Sequence, residues 1–395
     1  MRKAEAVELF KRNFWRLLAS YLATVILTII AVISVEIWII HNFSYNTYDN
    51  IRFLRAMRMI HRSYNGEVDS RQLFDGAIKG MVEAVGDPYT VYFNSKDFAE
   101  FSQVTEGTFG GIGVVFGKRG DDYVVISALQ DNPGALAGIK DGDIIVSVDG
   151  VEAKTLNMEQ MAHKIRGEKG TEVELELKDK SGELRKVRVI RKDIKATSVG
   201  GIMLPNTEIG YIRISMFNVD TGEDFVQTYK ELEAKGMKAL LLDLRSNPGG
   251  TLDSGVEVAR MLVPKGPIVS IIDKSGNKFV ESSTLEKVKY PMAVLVNGGT
   301  ASAAEIVAGA IKDTKSGKLF GEKTFGKGCV QTVFPLDSET AVKITTAYYH
   351  TPSGLSIHNI GIEPDVKVEL GENAVVDTQL KAAEKYLQEL LQKKE

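Results

Sequence analysis

Apolar positions along the chain change period several times, and each change marks a different kind of element. Leu17 to Ile40 is apolar without period, apart from small hydroxyl residues and Glu36. These twenty-four residues predict one helix; at about 1.5 Å per residue it would span the roughly 30 Å hydrocarbon core of a bilayer. Residues 51–64 form an Arg-rich amphipathic stretch. A second helical stripe, Leu73, Phe74, Ala77, Ile78, Met81, Val82 and Val85, starts at an Asp69 or Ser70 cap and stops at Gly86-Asp87-Pro88. Between 108 and 194, strand patterns at 112–117, 122–128, 144–148, 171–178 and 184–191 surround one helix near 157–166. After 195 strands alternate with helices. Strands are expected at 208–215, 238–244, 267–272, 291–296 and 318–322, and helices near 221–235, 252–263 and 302–314. This alternation predicts a layered α/β core with crossover connections. A hairpin-like pair at 330–336 and 340–349 adds antiparallel strands, and 374–391 reads as a last charged amphipathic helix.

Composition narrows the function classes. At 395 residues the chain holds two or three domains, and a net charge of −3 gives no electrostatic case for nucleic acid. A single cysteine, Cys329, excludes an internal disulfide framework. The five histidines (41, 61, 163, 350 and 358) are scattered and His-Glu-x-x-His is absent, so no metal is implied. Phe109-Gly110-Gly111-Ile112-Gly113-Val114 is glycine-rich but precedes a strand, which disfavours a dinucleotide, and no other cofactor is implied. Arg2, Lys3, Lys11, Arg12 and Arg16 outweigh Glu5 and Glu8 before the apolar run, placing the N-terminus inside. The run exceeds a signal-peptide core and no Ala-x-Ala site follows. A single-pass anchor in the cell membrane is therefore expected, with the rest of the chain extracytoplasmic and a cleaved signal peptide as runner-up.

Two stretches carry candidate chemistry. Met292 to Val296 reads as a buried strand, two glycines turn the chain, and Ser302 opens the Ala-rich helix Ala303-Ala304-Glu305. Ser-x-x-Glu is a capping box. It is also compatible with a nucleophile exposed at a tight strand-to-helix turn beside helix-end N–H groups. Neither Gly-x-Ser-x-Gly nor Ser-x-x-Lys is present. Lys327, between Gly326 and Gly328, can approach another backbone closely. Cys329 as a nucleophile is the weaker option, since free cysteine is commonly a small apolar filler.

Ser302-Ala303-Ala304-Glu305 followed by Phe325-Gly326-Lys327-Gly328-Cys329-Val330-Gln331 resembles the carboxyl-terminal processing peptidases, or tail-specific serine proteases. Asp243-Leu244-Arg245-Ser246-Asn247-Pro248-Gly249-Gly250 extends the resemblance, which covers most of the chain after about residue 65. It implies a layered, crotonase/ClpP-like protease core with an inserted PDZ domain behind the transmembrane helix. It further implies a Ser302–Lys327 dyad, with Gln331 orienting the lysine. Lys327 would have to be neutral to accept the serine proton, which desolvation favours. The oxyanion hole would combine the Ala303 N–H with one from the Gly249-Gly250 turn.

Pro133-Gly134-Ala135-Leu136-Ala137-Gly138-Ile139, followed by Gly142-Asp143-Ile144-Ile145, looks like a bacterial PDZ domain. Such a domain adds an extended peptide to a sheet edge and takes its terminal carboxylate in a nest of N–H groups. Gly110, Gly111, Ile112 and Gly113 would form the nest and Ile112 to Val115 the pairing edge. Met158, Met161, Ala162 and Ile165 would supply an apolar wall, and Arg166 a link to the protease. The expected organisation is a basic flank (1–16), anchor (17–40), helical region (41–107), PDZ domain (108–194), protease core (195–370) and C-terminal helix (371–395). Partners would be proteins or peptides with exposed, apolar C-terminal tails, and a homodimer through the terminal helices is compatible with the resemblance. The competing readings are a catalytically silent PDZ scaffold that binds protein tails at the cell surface, and an acyl-CoA enzyme on a similar core.

Overall fold

The computed structural model describes residues 2–43, 47–129, 131–370 and 376–393. The side chains of Arg2, Lys3, Lys11 and Arg12 in the basic flank, and residues 374–375 at the expected start of the last helix, lie outside the described set. The chain divides into two units, 1–81 and 82–395. The first is helical, with helices Arg2–Phe43 and Thr47–Ser63. Within the longer one, Phe14–Trp38 is 25 residues with a mean hydropathy of 2.4 and no buried share. It has the length and apolarity of a membrane-crossing segment or a signal sequence.

In the second unit the core is a six-stranded sheet. Its order is Val199–Met203, Ile209–Ile214, Ala239–Asp243, Met292–Val296, Lys318–Gly321 and Val366–Lys367; only the first pair is antiparallel. The central strands are buried on both faces, which is why Ala-Leu-Leu-Leu-Asp and Met-Ala-Val-Leu-Val read as unbroken apolar runs. Alternate residues divide between two layers. Leu240, Leu242, Val294 and Val296 pack with helices Thr221–Ala234, Leu252–Leu262 and Ala303–Asp313. Leu241, Ala293 and Leu295 pack on the opposite face against Ala383 and Leu387 of helix Thr378–Gln392.

One expected core strand lies elsewhere. Gly266–Asp273 turns back through a tight loop into Lys278–Ser283 and pairs antiparallel with Ala341–His350. It therefore belongs to a second sheet, completed by Val91–Phe93 and Cys329–Pro335. Helix Ser95–Glu106 follows Val91–Phe93, capped by the Asn94 side chain and ended by Gly107 in the left-handed region.

The residues expected to form a PDZ domain make a sheet ordered Val114–Arg119, Asp122–Ala128, Ile144–Val148, Glu172–Lys178 and Leu184–Ile190, with helix Met158–Ile165. The chain enters it through Thr108–Gly111 and leaves through Lys192–Lys195, and these two segments pair antiparallel. Entry and exit thus lie side by side, the geometry of a domain inserted into another.

A buried ion cluster fastens the C-terminal helix to the core. Arg245 grips fully buried Asp243 with Nε and Nη2 (2.9 and 2.6 Å) and reaches Asp377, the helix cap, at 2.8 Å. Tyr211 Oη donates to Asp243 at 2.8 Å. Arg245→Met would leave a buried carboxylate uncompensated, and we expect urea denaturation to read a loss of about 3–5 kcal/mol. A loss below about 1 kcal/mol, the surface-pair range, would contradict this account of the helix attachment.

Candidate active site

Three loops leave the carboxyl ends of neighbouring parallel strands, where open α/β sheets form their clefts. They are 244–250, 297–302 and 322–328, after Asp243, Val296 and Gly321. Side-chain and backbone bonds stitch the first two together. Asn297 Oδ1 accepts from Ser246 N at 2.8 Å, Thr300 Oγ1 donates to Leu244 O at 2.8 Å, and Ala301 N donates to Asn247 O at 2.9 Å.

The turn delivers Ser302 at φ 55°, ψ −121°, a backbone conformation that non-glycine residues rarely adopt. Helix Ala303–Asp313 starts at the next residue. Gly249 packs directly against it: a Cβ there would stand 2.6 Å from Ser302 Cβ and 2.9 Å from Ala303 N. The Gly249 N–H is already bound to Asn247 Oδ1 at 2.8 Å. Gly250 (φ 146°) would place a Cβ 1.9 Å from Phe217 O. Among the described residues, the N–H groups of Gly250 and Ala303 have no hydrogen-bond partner.

Glu305 holds the serine turn to the lysine loop. Its side chain is fully buried. Oε1 accepts from Thr324 Oγ1 (2.6 Å) and Gly326 N (2.8 Å), while Oε2 accepts from Lys327 N (2.8 Å) and Ser302 N (2.9 Å). Burial pushes this carboxyl above the ordinary range, and the four donors pull against that shift. Tyr349 Oη reaches the carbonyls of both Ser302 (3.0 Å) and Lys327. The glycines around Lys327 allow close approach: Cβ atoms at Gly326 and Gly328 would come within 2.8 and 2.6 Å of Gly361 N and His358 N.

Ser302, Lys327, Gln331, Gly249, Gly250 and Ala303 line one cavity of about 360 Å³. No hydrogen bond joins Ser302, Lys327 and Gln331 among the described residues. Lys327 Nζ lies 5.0 Å from the centroid of the Tyr89 ring. Gln331 Nε2 donates to Cys329 O (3.2 Å) and Sγ (3.0 Å). Lys327 precedes the strand, which begins at Cys329 and shifts register between Val330 and Gln331, so strand alternation does not relate the two side chains. Burial raises the pKa of the Cys329 thiol, which disfavours the thiolate. Among the described residues no group of three or more His, Cys, Asp or Glu side chains is placed to hold a metal.

In the PDZ domain Gly110 and Gly111 belong to the strand paired with Lys192–Lys195, and Gly113 has φ 69°. Ile112, Met161 and Ile165 are buried in the domain's own core, whereas Met158 is 44% exposed. The sheet edge is Val114–Arg119, starting two residues later than expected and pairing on one side only. The Arg166 guanidinium lies 4.5 Å from the Phe109 ring centroid.

Several site features escape sequence reasoning. Tyr89 has a local signal, the Asp-Pro-Tyr-Thr turn in which Asp87 accepts from Thr90 Oγ1 at 2.6 Å. Asn247 stands in the quoted glycine-turn motif. Phe101, Val104 and Thr105 line the cavity from helix Ser95–Glu106, and Lys343 from the second sheet, without any such signal.

This arrangement, a strained serine at a helix start facing a lysine loop in a chain that also carries a PDZ domain, is that of a peptidase with a layered α/β core. Family profiles agree: Peptidase family S41 matches residues 208–368, the Activating protease CtpB N-terminal domain 44–97, and PDZ domain 124–179. The chain is 37% identical to the carboxy-terminal processing protease CtpA of Bacillus subtilis, covering 81% of this chain and 69% of that one. It is 34% identical to the chloroplastic C-terminal processing peptidase of Tetradesmus obliquus, covering 82% and 78%. A solved photosystem II D1 C-terminal processing protease matches with TM-score 0.50 and 32% identity over 87% of this chain and 98% of that one. The chain belongs to the S41 carboxyl-terminal processing peptidases, which are serine-type hydrolases.

Two substitutions test the geometry. Glu305→Gln turns an amide NH₂ toward backbone donors in either orientation. We expect about a 10²-fold loss of kcat/KM from the displaced loops, with unchanged turnover as the contradicting result. Gly249→Ala, blocked by Ser302 and by its φ of 92°, should lower peptide turnover to a similar extent while far-UV circular dichroism stays intact; wild-type rates would refute the close packing.

Proposed function

We propose that this chain is a membrane-anchored endopeptidase that cleaves proteins bearing exposed C-terminal tails, using Ser302 as nucleophile and Lys327 as general base. The observation that carries the reading is the single Glu305 carboxylate joining the backbone N–H groups of Ser302 and Lys327. It fixes the two loops to each other before substrate arrives.

In this mechanism Ser302 Oγ attacks the scissile carbonyl while its proton passes to neutral Lys327 Nζ. A tetrahedral oxyanion forms and is received by the Ala303 and Gly250 N–H groups, whose positions at a helix start and a glycine turn suit anion binding. Gly249 contributes close approach, since its own N–H serves Asn247. Collapse releases the amine, protonated by Lys327, and leaves an acyl-enzyme; water activated by the same lysine then frees the serine. The lysine must first turn from the Tyr89 face toward Ser302. Gln331, a neutral amide, can help direct it without adding a negative charge.

The PDZ domain supplies tail recognition. Gly110 to Gly113 form the nest for a terminal carboxylate, the Val114–Arg119 edge pairs with the peptide, and Met158 is the accessible part of the apolar wall. Met161 and Ile165 support that wall from below, and Arg166 links the groove to the protease. Residues 17–40 hold the N-terminus inside and the catalytic part outside the cytoplasm.

The full-length protein in detergent is the material for the test. A loosely folded protein with an apolar C-terminal tail should be cleaved faster than one with a charged tail. Ser302→Ala and Lys327→Met should each lower the rate by at least roughly 10³-fold. Cleavage surviving either change would sink the dyad, and a tail bound but never cut by folded wild type would favour the scaffold reading.

A further inference from the structure

The cavity beside Ser302 contains a second lysine for which the dyad has no use. Lys343 lies on strand Ala341–His350, opposite Val333, while Gln331 lies opposite Thr345. It thus stands two strand positions beyond Gln331, about 7 Å further along the cleft. Its ammonium sits against two aromatic rings, 5.2 Å from the Phe93 centroid and 5.3 Å from that of Phe101. Those rings stack on one another at 4.8 Å and 23°, which fixes the lysine's position without neutralising its charge.

No anion answers this charge among the described residues. Among the described residues Lys343 makes no ion pair, and no Asp or Glu lines the cavity. Burial holds the Lys343 pKa below the ordinary lysine range. A lysine that only lays its stem on apolar surface extends its head into water. Lys343 instead is half-buried in the wall of the cleft. A carboxylate entering there would offset the desolvation and would gain a charge-assisted hydrogen bond.

We propose that Lys343 is a specificity-determining residue of the cleft, binding a carboxylate of the substrate near the scissile bond. The carboxylate is an Asp or Glu side chain or the α-carboxylate of a short C-terminal fragment. The inference rests on the reading of this cavity as the substrate cleft of a Ser302 peptidase. It is separate from tail capture by the PDZ domain.

The test uses full-length enzyme in detergent and internally quenched peptides of one core sequence. One arm compares Asp with Asn at successive positions on both sides of the cleaved bond, with amidated ends. The other compares free with amidated C-termini close to that bond. Wild type should prefer the carboxylate about tenfold in kcat/KM in at least one arm, and that arm identifies the source. The preference should fall to about unity in Lys343→Met, which keeps the stem packing, and return in Lys343→Arg. Equal kcat/KM for acid and neutral peptides in both arms, or a preference that persists in Lys343→Met, overturns the proposal. If wild type cuts none of the peptides, fluorescence anisotropy decides by the same ratios, with Ser302→Ala and the Ser302→Ala/Lys343→Met double variant binding the Asp and Asn peptides. Fluorophosphonate labelling of wild-type Ser302, run alongside, separates the two failures: a missing label defeats the nucleophile reading, whereas a lost carboxylate preference with labelling intact defeats only the role of Lys343.

Discussion

The structure of this site depends on one buried carboxylate. Glu305 takes four donors from three places: the N–H of Ser302, the N–H groups of Gly326 and Lys327, and the hydroxyl of Thr324. Burying a carboxylate is costly, and only a full set of hydrogen bonds offsets that cost. Losing one donor therefore weakens the case for the remaining three, so the two loops are coupled energetically as well as in space. Tyr349 adds a second tie by bonding the carbonyls of the same two residues. Ser302 can hold its strained φ of 55° because the surroundings over-determine it.

The fold makes such a junction available. Parallel pairing places the carboxyl ends of Ala239–Asp243, Met292–Val296 and Lys318–Gly321 side by side, so three loops distant in sequence converge on one edge. Arg245 works on the same edge, joining the end of one strand to the cap of the C-terminal helix. The PDZ domain is hung from a two-stranded neck, and the helix just before that neck lends Phe101, Val104 and Thr105 to the cavity wall. Any movement of the neck is thereby connected by a short path to the surface on which substrate would lie.

Much of this was legible in the sequence, for identifiable reasons. Fully buried strands have no polar alternation to confuse them, so Met292–Val296 and Ala239–Asp243 are placed within a residue or so. Glycines at 326 and 328 announced close backbone approach and those at 249 and 250 a turn that exposes a backbone donor, and each of the four would clash if given a side chain. The Ser-x-x-Glu spacing revealed Glu305, but only as a helix cap, because three of its four donors come from residues local pattern does not connect. Sheet membership was less legible: Gly266–Asp273 reads like its neighbours and pairs elsewhere, since pairing is decided by the hairpin that follows. Side-chain direction was hidden too. Spacing suggested that Met161 and Ile165 face a groove, whereas the domain, small as it is, needs them in its core. Lys343 had no signature at all, because its surroundings are assembled from a strand and a helix some 240 residues upstream.

The resting arrangement leaves Lys327 on the face of Tyr89 and not on Ser302. In the proposed mechanism the lysine turns from that ring toward Ser302 before it can accept a proton. The most direct measurement is covalent modification of the full-length protein by a fluorophosphonate, followed by intact-mass and peptide mass spectrometry, in wild type and Lys327→Met. The account predicts one adduct per chain, on Ser302, formed in wild type and strongly suppressed without the lysine. An adduct on another residue, or equal rates in the two proteins, would contradict it.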